Sequence, residues 1–289
     1  MKSALQKTSI PDSKIFVAKE LKEKHFDPVW HAHGEYQLFI VLKGSGTRFI
    51  GNTVKSFKEG DTTFIAPGVP HLWRNDASYF ARGSKQSVHG LVIYFKSDFI
   101  QYLLDKEELQ QVKALFVRSK KAIEFKGKII QQLHTMMKQL TQANGTASII
   151  ALLQILDAMA STKEYSMLHN ADYVYKLKES ETRRINLVYN YVAQHFNSVI
   201  SLHEAAKMLS MTPTSFSRYF RMKTGKSFSE FVTELRIKHA CKLLAEDDSK
   251  TISQVGNACG FNTLSNFNKQ FKTVIRLTPK IYRSRFSSL

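Results

Sequence analysis

The sequence lacks the features that mark several classes of protein. It contains only two cysteines, Cys241 and Cys259, too few for a disulfide-built scaffold or a cysteine-based zinc module. Both fall at apolar positions, which predicts buried core thiols. No stretch approaches the roughly 20 consecutive apolar residues that a membrane-spanning helix needs, and residues 1–8 lack the apolar core of a secretion signal. These absences lead us to expect a cytoplasmic protein.

Acidic residues are also scarce. The 289 residues include 24 Asp and Glu against 42 Lys and Arg, a net charge of +18. Such an excess predicts a polyanionic partner, either nucleic acid or an acidic membrane surface. Residues 1–177 contain 24 basic and 16 acidic residues, whereas the shorter segment 178–289 contains 18 and 8, with no acid after Thr251. The positive charge is therefore densest towards the C-terminal end.

The N-terminal half contains two kinds of hydrophobic pattern. Between residues 15 and 95, short runs of β-branched and aromatic residues alternate with turn residues, which predicts an antiparallel sandwich or barrel. The runs cover residues 37–42, 47–50, 62–66 and 89–95. From about Ser97 to Met159, apolar residues recur every three and four positions, which predicts two or three amphipathic helices. We expect these helices to cover the strands, with any surplus apolar face forming a dimer contact.

Residues 166–182 show no clear period and end in polar residues, which predicts a linker. The linker would separate an N-terminal domain at residues 1–165 from a C-terminal domain at residues 183–289. A length of 289 residues is about right for two domains. The predicted fold class is α+β, since the C-terminal domain has an all-α pattern.

The C-terminal region contains an internal repeat of about 50 residues. Each copy begins with a short helix that carries a small residue, Ala206 or Gly256, and continues through a turn into a helix with two phenylalanines four residues apart. In the first copy, Thr212 and Pro213 are a suitable N-cap and first residue for the second helix. Buried aromatic stripes and close helix crossings are typical of helix-turn-helix units. Residues 228–246 are predicted to form one long helix that joins the two units.

The outer face of each second helix would remain free to enter the major groove of DNA. Arginine and lysine can bond guanine, asparagine can bond adenine, and short hydroxyls fit against either strand. An ordinary solvated side chain is the alternative for each position taken singly. The candidate DNA-binding residues are Thr214, Ser215, Ser217, Arg218 and Arg221 in the first unit and Leu264, Ser265, Asn268, Lys269 and Lys272 in the second.

About 110 C-terminal residues resemble the AraC/XylS family of bacterial transcription regulators. The motifs that carry the resemblance are Arg218-Tyr-Phe-Arg-Met-Lys-Thr-Gly-Lys-Ser-Phe228, Arg236 with Ala240 and Leu243-Leu244, Gly260-Phe261, Phe267 with Phe271-Lys272, and Thr278-Pro279-Lys-Ile-Tyr-Arg283. The resemblance implies base contacts at Thr214, Ser217 and Arg218 in the first unit and at Leu264, Ser265, Asn268 and Lys269 in the second. Two residues depart from the family pattern, Gly256 in place of Ala and Arg276 in place of Gly.

The N-terminal region resembles the cupin domains that serve as sensors in the same family. The residues that carry this resemblance are His31-Ala-His33, Glu35, Gln37 and Gly44, followed by Gly60-Asp61, Pro67-Gly68, His71 and Asn75. Metal-binding cupins use histidines at these positions together with a carboxylate. Here Gln37 stands where many such proteins have Glu, and a neutral amide is a weaker ligand for a hard divalent ion. We therefore expect neither a metal nor another cofactor.

A pocket for a small polar molecule is the interpretation that we favour for this cupin-like β-barrel. Aromatic planes with a few polar groups suit a sugar or a similar metabolite. The predicted effector-binding residues are His31, His33, Gln37, Arg48, His71 and Trp73. For the neighbouring residues Phe39 and Phe49, simple filling of the barrel is the preferred interpretation.

Three functional hypotheses fit these patterns. The favoured one is an effector-controlled, sequence-specific transcription regulator with no enzymatic activity. The second is a metal-dependent cupin enzyme that binds nucleic acid incidentally, and the third is a DNA-binding protein whose barrel serves only to dimerise. The helix-turn-helix units favour double-stranded DNA over a membrane as the polyanion. The further expected partners are a small effector, a second copy of the chain and RNA polymerase, in the bacterial cytoplasm at the nucleoid.

Overall fold

The computed structural model describes residues 10–168 and 179–286 of the chain. The chain separates into two compact units, Met1–Glu179 and Ser180–Leu289. No helix within the described residues is both long and apolar enough to cross a membrane.

The N-terminal unit is built from antiparallel strands in two sheets. The larger sheet has the strand order β1-β7-β2-β5-β8-β9 and the smaller has the order β4-β3-β6. The strands are β1 (Phe16–Glu23), β2 (Tyr36–Lys43), β3 (Gly46–Ile50), β4 (Thr53–Phe57), β5 (Thr62–Ile65), β6 (His71–Asn75), β7 (Val88–Phe95), β8 (Ile123–Phe125) and β9 (Tyr165–Met167). Each of the four runs predicted as strands is confirmed. Between residues 10 and 168 the strands pair as two sheets and not as one continuous barrel.

Both faces of the larger sheet are buried, so its central strands are almost continuously apolar. Leu38 and Ile40 of β2 pack in a cluster with the helices of this unit, while Phe39 and Val41 face a second cluster that contains Trp73 of the smaller sheet. This alternation follows from the two-residue period of side chains along a strand. The helices and the smaller sheet thus cover opposite faces of one sheet.

The helices of the N-terminal unit confirm the amphipathic pattern predicted from about Ser97 onward. A short unpredicted helix, α1 (Ala77–Phe80), precedes this region, and the helices within it are α2 (Gln110–Ser119), α3 (Ile129–Gln142) and α4 (Gly145–Ser161). Leu115, Leu133 and Leu156 are almost completely buried in the cluster that covers the larger sheet. On α4, Ile150 and Leu153 stay exposed to 52% and 37%. A surplus apolar surface of the kind expected therefore exists on α4.

The predicted linker at residues 166–182 is wrong at its two ends. Ser166 lies in β9, where its Oγ donates a hydrogen bond of 3.1 Å to Glu124. Strand β9 is stabilised by pairing with β8, a partner about 40 residues away that local sequence pattern does not indicate. At the other end, α5 already begins at Glu179. The middle of the predicted linker, residues 169–178, lies outside the described residues.

The C-terminal unit is all-α, as predicted. Residues 179–286 form α5 (Glu179–His195), α6 (Leu202–Met208), α7 (Pro213–Thr224), α8 (Phe228–Glu246), α9 (Ile252–Ala258), α10 (Leu264–Ile275) and α11 (Pro279–Phe286). Helix α7 begins as expected, with Pro213 in its first turn and Thr212 Oγ1 accepting from the Ser215 backbone N–H. Ser227 and Glu230 form a reciprocal capping box at the start of α8. The long helix has 19 residues and is about 28 Å long.

The two recognition helices end in the same backbone conformation but at different residue types. Gly225 terminates α7 in the left-handed region at φ 72°, and Arg276 terminates α10 at φ 67°. Glycine adopts this conformation without steric penalty, whereas a residue with a Cβ is strained there. The departure of Arg276 from the family pattern is thus a site of local backbone strain.

Helix α5 and the residues that follow it are bonded to the first unit and to the joining helix α8. The Arg184 guanidinium donates to the Leu209 carbonyl at 2.9 Å, next to the first turn. On α8, Arg236 donates from Nε to the Phe196 carbonyl and from a terminal nitrogen to the Ser198 carbonyl, each at 2.7 Å. The two bonds from Arg236 satisfy carbonyl groups that lie just after the C-terminal end of α5.

Candidate nucleic-acid interface and ligand cavity

The second helix of each unit is held by buried aromatic side chains. On α7, Phe216 and Phe220 are completely buried, and their rings contact Phe228 at centroid distances of 5.3 and 5.4 Å. On α10, Phe267 and Phe271 are also completely buried. Because residues four apart share one helical face, these pairs fix which face of each helix points outward.

Gly256 explains how close α9 and α10 approach each other. A Cβ placed on Gly256 would lie 3.0 Å from the ring of Phe267, tighter than ordinary van der Waals contact. The small residue at this position therefore permits the crossing that the repeat predicts.

The outward faces contain the ten residues predicted to bind DNA. Nine of them are exposed. Ser217 is half-buried, and its Oγ donates to the Pro213 carbonyl at 2.9 Å. The cationic side chains of Arg218, Arg221 and Lys269 form no ion pair within residues 10–168 and 179–286. The predicted residues thus lie on two solvent-accessible, positively charged helical faces, and base contact by each of them stays a prediction.

Local hydrogen bonds reduce the freedom of some of these hydroxyl groups. Ser215 Oγ accepts from Thr212 Oγ1 at 3.0 Å, in addition to the cap bond between the Ser215 N–H and Thr212. Thr214 and Ser265 are exposed at the start of the two recognition helices. The N-terminal turns of α7 and α10 thus present small polar side chains to solvent.

A cavity of about 480 Å³ opens in the N-terminal unit. It contains four of the six predicted effector-binding residues, His31, Gln37, His71 and Trp73, and not His33 or Arg48. Sequence reasoning missed most of the remaining lining. Those residues are Lys19, Leu21, Glu23, His25, Phe26, Asp27, Pro28, Val92 and Tyr94, together with Phe39. Alternation along β1 puts Lys19, Leu21 and Glu23 on one face of the strand, but it does not show that this face borders the cavity, because β1 pairs with the distant β7.

The Arg48 guanidinium forms ion pairs with two carboxylates, those of Asp61 and Glu124. Its side chain is 1% exposed and donates to Asp61 at 3.0 Å and to Glu124, which also pairs with Lys55 at 2.8 Å. Burial raises the pKa of Asp61 to about 6, although Arg48 opposes that shift. Burial also acts to raise the pKa of Glu124, but Arg48 and Lys55 outweigh it and the net shift is downward. The guanidinium therefore supports the fold here instead of lining the cavity.

His33 lies next to three residues of the cavity wall, His31, His71 and Gln37. One ring nitrogen from each of His31, His33 and His71 lies within 4.8 Å of the others. Gln37 Oε1 is 3.1 Å from His33 Nε2 and 3.2 Å from His71 Nε2. Burial, followed by the charge on His31, lowers the pKa of His33 to about 4 and that of His71 well below its ordinary value. Both rings are thus neutral at neutral pH.

The backbone holds this cluster in place. His31 and His71 form an isolated antiparallel bridge, with N–H to carbonyl distances of 3.1 and 2.8 Å in the two directions. Gln37 lies on β2, a central strand of the larger sheet. Asn75, at the end of β6, accepts from the Phe26 N–H at 2.8 Å and so fixes the segment that precedes the histidines. We call His31, His33, His71 and Gln37 the histidine cluster.

Comparison with known proteins agrees with this arrangement. The model of the AraC-like ligand binding domain matches residues 17–159, and a helix-turn-helix domain model matches residues 205–285. The two matches define the class as a DNA-binding transcription regulator with a ligand-binding domain. The chain belongs to the AraC family of these regulators.

Relatives are similar along nearly the whole chain. The HTH-type transcriptional activator RhaR of Mannheimia succiniciproducens is 21% identical over 287 residues, which cover 94% of this chain and 95% of the relative. The uncharacterized HTH-type transcriptional regulator YdeC of Bacillus subtilis is 23% identical and covers 88% of this chain and 85% of its own. The structure of ToxT from Vibrio cholerae aligns with 95% of this chain and all of its own, at 13% identity and a TM-score of 0.36.

Proposed function

We propose that this regulator binds specific DNA sites through both recognition helices and that a small polar effector controls it from the cavity. The observation that carries the proposal is the pair of exposed basic faces on α7 and α10, each fixed by completely buried phenylalanines. A rigid scaffold that presents unpaired Arg, Lys and Asn side chains is what direct readout of bases requires.

The two faces are suited to different bases. Arg218 of α7 matches the acceptor pair on guanine, whereas Asn268 of α10 matches the donor and acceptor of adenine. Thr214, Ser217, Leu264, Ser265 and Lys269 complete the base-contacting set. Ser215, Arg221 and Lys272 contribute contacts to the phosphates on either side. Each side chain with an ion contact to phosphate adds to the salt dependence of binding.

The effector is an uncharged polar molecule such as a sugar. His71 is neutral, Arg48 is neutralised by Asp61 and Glu124, and neither supplies the positive charge that a carboxylate or phosphate ligand needs. The other charged residues around the cavity, Lys19, Glu23 and Asp27, provide no net positive charge. Gln37 and the histidines offer hydrogen bonds, and Phe39, Trp73 and Tyr94 offer aromatic faces, a combination that suits a polyol.

The chain acts as a homodimer that contacts RNA polymerase, in the cytoplasm and at the nucleoid, with no catalytic role. The exposed side chains of Ile150 and Leu153 on α4 are the apolar surface that supports self-association. Effector binding shifts the population between two arrangements that differ in DNA affinity.

Selection of DNA sites from a random pool, with the full-length chain, tests the regulator. We expect the selected site to bind about 10³-fold or more tightly than its scrambled sequence. The ratio must fall in Arg218→Ala and stay unchanged in Arg82→Ala, which removes an exposed arginine of the N-terminal unit. Equal affinity for selected and scrambled DNA would contradict the proposal.

A thermal-shift panel tests the effector separately from DNA. Neutral sugars are compared with their acid and amine derivatives, and any hit is added to the DNA-binding assay. We expect stabilisation by a neutral sugar, loss of that stabilisation in Gln37→Ala, and its retention in His89→Gln, a half-buried histidine outside the cavity. Stabilisation only by anionic ligands would refute the assigned effector class.

A further inference from the structure

Strand β1 forms one edge of the larger sheet. Among residues 10–168 it pairs with β7 alone. An edge strand presents a row of backbone N–H and carbonyl groups that can pair with a strand of another chain. Along residues 19–23, Leu21 is half-buried and the four charged residues around it are exposed. This part of the edge is therefore accessible to a partner strand.

The charges along this part of β1 are self-complementary. Residues 19–23 read Lys-Glu-Leu-Lys-Glu. Two antiparallel copies of the strand can be centred on Leu21, so that this residue lies opposite its own copy. Each Glu20 then lies opposite Lys22 of the other chain, and the residues at positions 19 and 23 are opposite in charge in the same way. Directly opposite side chains share one face of a sheet, where opposite charges stabilise the pairing.

Symmetry leaves one favourable register for such a pair. A two-fold axis between identical antiparallel strands places the central residue opposite its own copy. Centring the pair on any of the four charged residues would therefore bring two like charges together, which destabilises a sheet. Centring it on Leu21 makes all four of the other pairs opposite in charge. Charges that serve only to keep other chains away from an edge need no such symmetry.

The side chains on the face of β1 away from the cavity are already held in place within one chain. Glu20 Oε1 is 3.1 Å from Lys22 Nζ and 2.7 Å from His89 Nε2. These contacts, with the lysine first, lower the pKa of Glu20. Because a carboxylate has two acceptor oxygens, Glu20 can also accept from Lys22 of a second chain.

We propose that β1 is a self-association surface on which a second copy of the chain pairs antiparallel about Leu21 and continues the larger sheet. A groove of about 460 Å³ lies beside the first half of β1. Consecutive residues of the strand line this groove, as expected for a space against the edge of a strand and not over one face. Residues 16–18 lie opposite residues 24–26 of the second copy in this register, so the groove provides room for them.

The surface adjoins the ligand cavity and is separate from the exposed apolar residues of α4. Lys19, Leu21 and Glu23 line the cavity from one face of β1. Pairing about Leu21 places the same three side chains of the second copy next to that wall. Association through β1 and occupation of the cavity therefore involve the same strand, although the pairing itself rests on neither DNA nor an effector.

The test uses charge reversal in the full-length chain, with Leu21→Cys as the reporter. Opposing cysteines at this position would lie within disulfide range, whereas Cys241 and Cys259 are buried. We expect mild oxidation to link two chains through position 21. In the control Ala18→Cys the two thiols would be about 20 Å apart and should stay unlinked. Efficient linkage through position 18, or none through position 21, would overturn the proposal.

Glu20→Lys and Lys22→Glu are then introduced separately into the Leu21→Cys chain. Each change places like charges opposite each other, so we expect association through β1 to weaken about tenfold or more in either variant alone. An equimolar mixture of the two should restore linkage, because every opposing pair is again Lys with Glu. Restoration by mixing cannot come from unfolded chains, and a mixture that links no better than its components would contradict the register.

Ile150→Glu separates this surface from self-association through α4. Ile150 lies on the exposed apolar surface of α4, outside β1. We expect this variant to link through position 21 as efficiently as the unmodified sequence around β1. Loss of linkage in Ile150→Glu would show that the contact depends on α4, and the proposed surface on β1 would be wrong.

Discussion

The two helix-turn-helix units share a plan but are supported by different parts of the chain. In the first unit, α5 packs behind the repeat, and the ring of Tyr189 meets that of Phe231 at 4.7 Å. In the second unit the support comes from α11, where Tyr282 contacts Phe271 at 5.6 Å. The buried phenylalanine pair is common to both units, and the flanking helix is not. The aromatic stripe thus defines the unit, while the helix that supports it can come from either side in sequence.

The units also differ at the end of the recognition helix. Gly225 ends α7 without strain, whereas Arg276 ends α10 in the same left-handed conformation with a side chain attached. Both helices nevertheless end with an N–H bond to the carbonyl four residues earlier, on Arg221 and Lys272 respectively. The second unit therefore has the same helix end as the first, but with a backbone strain that glycine spares the first unit.

The largest effect is expected from loss of the shared stripe. Phe216→Ala and Phe267→Ala should each lower the free energy of unfolding by about 3–5 kcal/mol, because each ring is completely buried. Chemical denaturation followed by far-ultraviolet circular dichroism measures the loss. Leu264→Ala, at a position 43% exposed on α10, is the control and should change stability by less than about 0.5 kcal/mol. A large loss of stability in only one of the two phenylalanine variants would show that the two units do not depend equally on their buried phenylalanines.

A smaller effect, on binding instead of folding, should distinguish the two recognition faces. Arg218→Ala and Asn268→Ala should each cost about 1–3 kcal/mol of binding free energy at one base pair, in different halves of the selected site. Binding to a set of sites that carry single base changes reveals which position loses discrimination. If both variants relax the same half-site, or weaken all sequences equally, the assignment of one face to each half is wrong.

Removing the backbone strain at the end of α10 should stabilise the protein by about 1 kcal/mol. Arg276→Gly should raise the free energy of unfolding by about that amount, since glycine removes the left-handed penalty. Gly225→Ala is the matched change in the first unit and should lower stability by a similar amount. Denaturation midpoints of the two variants measure the difference directly. Shifts of the same sign would show that the two ends are not equivalent.

The smallest effect on affinity is expected at Lys272. Lys272→Ala should weaken binding to all sequences evenly and reduce the slope of log K against log salt by about 0.9, the value for one phosphate contact. Titrations at several salt concentrations give the slope. A loss confined to one base pair would reassign Lys272 to base readout.

The C-terminal unit was predictable from sequence because its signals are local. Thr212 and Pro213 mark the start of α7, and the phenylalanines four residues apart mark its buried face. The repeat then supplies the same information twice. Backbone strain at Arg276 follows from its departure from the glycine pattern once the two copies are compared.

The N-terminal unit was predictable only in outline, because its decisive contacts join residues distant in sequence. The strand pattern placed Arg48 correctly inside the fold, opposite Trp73 in the smaller sheet. Its partner Glu124 is 76 residues away in the sequence. The residues around Arg48 therefore give no sign of the ion pair that keeps its side chain out of the cavity. The contribution of β1 to the lining was missed for the same reason, since β1 pairs with the distant β7.

The hydrogen bonds of Arg236 bear on where the C-terminal domain can be separated from the rest of the chain. The matched helix-turn-helix domain begins at residue 205, yet the carbonyls that Arg236 bonds belong to Phe196 and Ser198. A fragment cut at the domain boundary would leave that half-buried guanidinium without its acceptors and would remove the bond from Arg184 to Leu209. A fragment that keeps all three of these bonds therefore includes Arg184 of α5 as well as Phe196 and Ser198.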